Sequence, residues 1–191
     1  LGHDLKNGQR DFRVFNNFTD TSANNNNSPD PNFPGALGAD MAIWKGQVEW
    51  GSGLWAGTGD GDPLQNLGNG GANFDTHSQG PASGVGVIGN NIHSQIGGSG
   101  GGVLAFMQGG GSGWWIRYYQ NINWSDGPGG TGGAFDLQAV ACHEIGHALG
   151  LNHSTTGSAT MAPSIAPGSE GERSINSDDQ AGLQAIYGAE V

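Results

Sequence analysis

What the chain lacks narrows the problem before any motif is considered. Cys142 is its one cysteine, so no intramolecular disulfide can form and the fold must be held by packing or by a metal. Only six residues are Lys or Arg against 17 Asp or Glu, a net charge of −11. With no basic cluster to meet phosphates, nucleic acid and anionic membrane surfaces are excluded as partners. No apolar run reaches the roughly 20 residues that a spanning helix needs, so membrane insertion is excluded. No secretory signal pattern is present either, so an exported form would have carried it outside this sequence.

What is abundant is glycine. The 38 glycines follow no triplet period, which indicates tight turns and long loops rather than a fibre. Six Trp and seven Phe argue against disorder, and 191 residues suit one domain, 1–191, with a core of its own.

Along the chain, Asp11–Phe15 alternates apolar and polar residues as a first strand does. Residues 16–34, with four asparagines at Asn24–Asn27, read as loop; Asn17-Phe18-Thr19 fits a glycosylation triplet. Leu37, Met41, Trp44 and Val48 recur at helical spacing and predict a helix over Leu37–Trp55, with Trp44 and Trp50 as core aromatics. Asp60, Asp62, Asn66 and Asn69 lie among glycines where their oxygens could ligate Ca²⁺, although the spacing is not that of an EF-hand. Further strands are expected near 72–76, 85–88, 102–107 and 114–124. His77 and His93, having no spaced partner, read as surface or packing residues. A helix over Phe135–Leu149 is capped by Asp136, and a last helix opens at Ser177-Asp178-Asp179-Gln180 and stops at Gly188.

The chemistry concentrates in Cys142–Ser154, Cys-His-Glu-Ile-Gly-His-Ala-Leu-Gly-Leu-Asn-His-Ser. His143 and His147 are one helical turn apart on one face, so their imidazoles can share a Zn²⁺. Glu144 lies beside them, placed to move a proton on zinc-bound water. Gly150 can end the helix with a positive φ, letting the chain turn back to deliver His153 as third ligand. Cys142 shares a stripe with Ile145 and Leu149, turned away from the metal face, and reads as a core thiol.

This His-Glu-x-x-His-x-x-Gly-x-x-His pattern resembles the metzincin signature. Ser154, the run Ala159-Thr160-Met161-Ala162-Pro163-Ser164-Ile165, and Asp178-Asp179 leading to Ala185-Ile186-Tyr187-Gly188 resemble the matrixin branch, which includes the matrix metalloproteinases. The strong part covers about 135–188. The resemblance implies an α+β metzincin fold: a twisted, mixed five-stranded sheet with about three helices. An active-site cleft would separate a larger part, 1–153, from a smaller one, 154–191. It implies a secreted monomeric zinc endopeptidase that cuts internal bonds of extended polypeptides, using zinc-activated water with Glu144 as general base and acid. Met161 would support the site, Leu104 and Ala105 would pair with substrate, and Pro163, Ser164 and Ile165 would wall the pocket for the side chain after the cut bond. The family commonly has Tyr where Ile165 stands. The edge strand has no histidine and Asn123 stands where the next strand would carry one, so one catalytic zinc and no structural zinc are expected. The family's inhibitory prosegment cysteine is absent, as in a mature catalytic domain. Two other classes compete: a metzincin-like binding module without catalysis, and a calcium- or glycan-binding Gly/Asn-rich domain.

Overall fold

The computed structural model describes residues 5, 7–30, 32–52, 67–84, 86–110 and 112–191. Five strands form one mixed sheet: β1 (Phe12–Phe15), β2 (Ser78–Ala82), β3 (Ile92–Ile96), β4 (Ala105–Gly110) and β5 (Gly113–Tyr119). Their order is β2-β1-β3-β5-β4, with every pairing parallel except the antiparallel β4–β5 hairpin. Among the described residues there are three α-helices: α1 (Gly38–Val48), α2 (Leu137–Ala148) and α3 (Ser177–Tyr187). The expected α+β, five-stranded, three-helix architecture is therefore what the chain adopts. β4 ends the sheet on the side where α2 packs, which puts a free strand edge beside the helix carrying the histidines.

One core joins the sheet to α1 and α2: Phe12, Val14, Ile116 and Tyr118 meet Ile43, Trp50, Val140 and Ile145. Fully burying one such aliphatic side chain stabilises by about 2 kcal/mol. The two helices approach closely at Gly46, where an added Cβ would lie 2.9 Å from the Gln138 carbonyl oxygen and 3.0 Å from the Cys142 nitrogen. Cys142 is fully buried at that crossing, and the Trp50 indole N–H donates to its carbonyl at 2.9 Å. The thiol and Trp50 are core, as their helical positions indicate.

Several local expectations change. α1 ends at Val48, short of Trp55, because the next residues are claimed by distant partners. The buried Glu49 carboxylate accepts from the Gly68, Asn69, Ser174 and Ile175 groups. Burial pushes it up to about 7, and those hydrogen bonds oppose the shift. Asn69 spends its amide there, while Asp60, Asp62 and Asn66 lie outside the described residues. The asparagine run is more than loop: Asn24 Oδ1 accepts the Ala39 N–H at 3.4 Å, capping α1 from outside the helix. Gly38, with φ +56, leaves room for that amide.

The strand expected near 72–76 is a single bridge, Ala72 to Ala189. Val87 and Ile88, in the strand expected at 85–88, are exposed in a loop, and the strand is Ile92–Ile96 instead. That central strand is covered on both faces, so His93, Ser94 and Gln95 are all buried and no alternating pattern survives in the letters. Asn17 pairs its side-chain amide with the Gln95 backbone at 2.9 and 3.0 Å, acting as an extra rung rather than a free acceptor. The strand region 102–107 is shifted to Ala105–Gly110, and 114–124 splits into β5 and the short β6 (Trp124–Ser125), which pairs with β7 (Phe135–Asp136).

Candidate metal centre

α2 begins where Asp136 Oδ1 accepts the Ala139 N–H at 2.7 Å, the expected cap. The other carboxylate oxygen of Asp136, Oδ2, accepts from both Arg173 Nε at 2.9 Å and Nη2 at 2.5 Å, a buried charge-assisted pair. Arg173 also donates to the Pro128 and Gly129 carbonyls. This pair fixes the start of the helix to the chain segment that follows the cleft.

The helix ends at Gly150, whose φ of +106 permits a Schellman closure. Leu151 N–H donates to Gly146 at 2.9 Å and Gly150 N–H to His147 at 3.1 Å. The reversal returns His153 to the helix face. The ligand atoms of His143, His147 and His153 all fall within 4.8 Å of one another.

Ring orientation is set by backbone carbonyls. His143 Nδ1 lies 2.7 Å from the Thr160 carbonyl oxygen, and His147 Nδ1 lies 2.9 Å from that of Leu151. A carbonyl only accepts, so both Nδ1 atoms carry the proton and both Nε2 atoms present lone pairs. His147 Nε2 and His153 Nε2 are 3.2 Å apart. Tetrahedral zinc with Zn–N near 2.0–2.1 Å needs ligand nitrogens about 3.3 Å apart, so the His147–His153 pair suits that ion, and His143 completes the set within 4.8 Å. Burial pushes His143 down to about 4, with the neighbouring imidazoles adding to the effect and the Thr160 bond opposing it. His147 is lowered for the same chief reason.

Glu144, one helical turn after the core residue Val140, lines the same cavity as the histidines. Burial raises its carboxyl to about 7, and a hydrogen bond from the Met107 backbone on β4 opposes that shift. The cavity has a volume of about 480 Å³. Leu104, Ala105, Pro163, Ser164 and Ile165 all line it, so the structure brings every sequence-selected wall residue to one place. Outside the trio, among the described residues, His77 is exposed beside Asp11 and His93 is buried in the core, and neither joins the cluster.

Met161 is buried beneath α2, where an added Cβ at Gly146 would overlap its sulfur and lie 2.9 Å from Trp50 Cζ2. Asp179 holds the Met161 turn. Its carboxylate accepts from Thr160 N–H at 2.9 Å, Met161 N–H at 3.1 Å and Asn176 N–H at 3.0 Å. The last contact completes a capping box in which Asn176, not the expected Ser177, is the N-cap of α3. Asp178 accepts from the Ser154 hydroxyl at 2.6 Å, pinning the residue after the third histidine.

Sequence reasoning missed the carbonyls of Thr160 and Leu151, the Asp179 clamp, and Gly146. The carbonyls leave no trace in side-chain identity. Gly146 does leave one, because a mid-helix glycine costs about 1 kcal/mol relative to Ala and calls for a packing reason.

Comparison with known proteins agrees with the geometry. The family model for Matrixin matches residues 88–188, more than half of the chain. Metalloendoproteinase 4-MMP of Arabidopsis thaliana is 49% identical over 55 residues, 29% of this chain and 16% of that protein. Matrix metalloproteinase-19 of Homo sapiens is 43% identical over 73 residues, 38% of this chain and 14% of that protein. Matrix metalloproteinase-27 of Homo sapiens is 41% identical over 89 residues, 46% of this chain and 17% of that protein. The matched stretch is thus less than a fifth of the length of each of these relatives.

Proposed function

Since the chain belongs to the matrixin family, we propose that it is a zinc-dependent endopeptidase, acting outside the cell on internal bonds of extended polypeptides. The observation that carries this reading is the convergence of three imidazoles on one point, with Glu144 in the same cavity. Zinc, when bound, supplies the Lewis acidity that makes water a nucleophile near neutral pH and polarises the scissile carbonyl. Three protein ligands leave a coordination position open, which suits catalysis better than a closed structural site.

The chain's own residues do the rest. His143, His147 and His153 hold the ion, the first two through Nε2 because their Nδ1 protons are spent on carbonyls. Glu144 takes a proton from the attacking water and later passes it to the leaving amine. The free edge at Leu104 and Ala105 pairs with the substrate backbone as an added strand. Pro163, Ser164 and Ile165 wall the pocket for the side chain after the cut bond, while Met161 and Gly150 keep the histidines in place. We take 1–191 as one catalytic domain that works as a monomer. No described helix is long and apolar enough to cross a membrane.

The test is Glu144→Ala, read by casein turnover together with zinc content. Zinc should stay bound while turnover falls at least about 10²-fold, the usual contribution of a positioned general base. Undiminished turnover would sink the proposal. A wild-type chain that binds zinc yet cleaves nothing would favour the binding-module reading instead.

A further inference from the structure

We propose that Glu172 is a specificity-determining residue that favours a long cationic side chain, Lys or Arg, immediately after the cut bond. The proposal rests on the endopeptidase reading above. Phe135, Ala139, Val140 and Ile165 give the cavity apolar walls, and Glu172 adds a carboxylate-bearing residue to the same lining.

That residue is held in place. Ser169 Oγ donates to Glu172 Oε2 at 2.6 Å, and among the described residues no side chain donates to Oε1. The Glu172 carbonyl accepts from Thr160 Oγ1 at 3.2 Å, while the Thr160 carbonyl accepts from His143 at 2.7 Å. Glu172 is therefore coupled to the first metal-site histidine through one residue. Its neighbour Arg173 commits its guanidinium to Asp136 and to the Pro128 and Gly129 carbonyls.

The physical consequence follows from what each substrate side chain would do there. Lys or Arg can lay its methylene stem on the apolar walls and bring its head to the carboxylate, forming a charge-assisted hydrogen bond. An apolar side chain would displace water from that oxygen and offer nothing in return. An acidic one would be repelled, and the chain's net charge of −11 steers cationic polypeptides towards the cleft in the same sense.

The experiment compares kcat/KM of the zinc-loaded protein on peptides identical except for Lys, norleucine or Glu after the cut bond. Norleucine keeps the Lys stem and removes the charge. Lys should exceed norleucine by about tenfold and Glu should be poorest, with the Lys advantage shrinking as salt is raised. Glu172→Gln retains an acceptor for Ser169 and should bring the Lys-to-norleucine ratio close to one. A wild-type ratio at or below one, or a ratio unchanged in Glu172→Gln, overturns the assignment. If the variant does not fold, the wild-type ratio and its salt dependence decide alone. A protein that cleaves norleucine peptides without favouring Lys loses only this proposal, whereas one that cleaves none of them loses the endopeptidase reading itself.

Discussion

His93 and His143 present the same imidazole in two settings. His93 has both nitrogens engaged: Nδ1 lies 2.9 Å from Tyr118 Oη and Nε2 lies 3.3 Å from Gln47 Oε1. Gln47 donates through Nε2 to Thr76, so its oxygen can only accept and the His93 proton sits on Nε2. The Tyr118 hydroxyl then donates to Nδ1, and no lone pair remains for a metal. His143 uses one nitrogen on Thr160 and leaves the other facing its two neighbours. Burial alone does not separate a structural histidine from a ligand; the partner of the second nitrogen does.

The largest effect that would sharpen this contrast comes from removing a ring on each side. His147→Ala should abolish zinc retention and peptide hydrolysis together. His93→Ala should keep its zinc but lose about 3 kcal/mol of stability, since a buried ring goes and Tyr118 and Gln47 lose their partner. Zinc analysis beside denaturant melts checks both, and zinc loss in folded His93→Ala would break the distinction.

Asp179→Ala comes next. It strips the acceptor from Thr160, Met161 and Asn176, leaving buried N–H groups unpaired, and should cost about 4 kcal/mol. Because Thr160 orients His143, zinc affinity should also weaken by about 10- to 100-fold. Calorimetry and metal titration read the two effects separately; unchanged zinc affinity would show that the turn holds without its clamp.

Gly146→Ala distinguishes packing from helix propensity. In an exposed helix the change would stabilise by about 1 kcal/mol. Here the new methyl meets Met161 and Trp50, and a loss of about 2 kcal/mol is expected. A raised melting temperature would show that Met161 is not seated against this glycine.

The smallest effect is in pH. Burial lowers His93 to about 3, below its ordinary value of about 6.5. The unfolded chain therefore takes a proton that the folded chain refuses, so stability is unaffected above the ordinary value and falls as pH drops below it. Between pH 7 and pH 5.5 the His93 contribution is about 1 kcal/mol. Metal-free wild type should lose that much more than metal-free His93→Gln over the same interval, measured by urea titration. Equal slopes would mean that the ring gains access to water.

Legibility followed locality. His143, Glu144, His147, Gly150 and His153 could be read directly because helical spacing and one glycine turn relate them within a dozen positions. Asp136 as N-cap and Cys142 as core were readable for the same reason. β3 was not, because a strand covered on both faces can bury His93, Ser94 and Gln95 once other segments supply partners for the His93 ring, the Ser94 hydroxyl and the Gln95 amide oxygen. The end of α1 was not either, since Glu49 is held by groups up to 126 positions away.

By itself, then, the sequence determined the histidine trio, the helix that carries two of its members, and the turn that returns the third. The tertiary structure alone decided which nitrogens of His143 and His147 keep a lone pair, through the Thr160 and Leu151 carbonyls. It also decided that Asp179 holds the Met161 turn and that Glu172 lines the cavity. The physical reason is that backbone acceptors and long-range carboxylate contacts depend on where the chain passes, and no residue letter records that path.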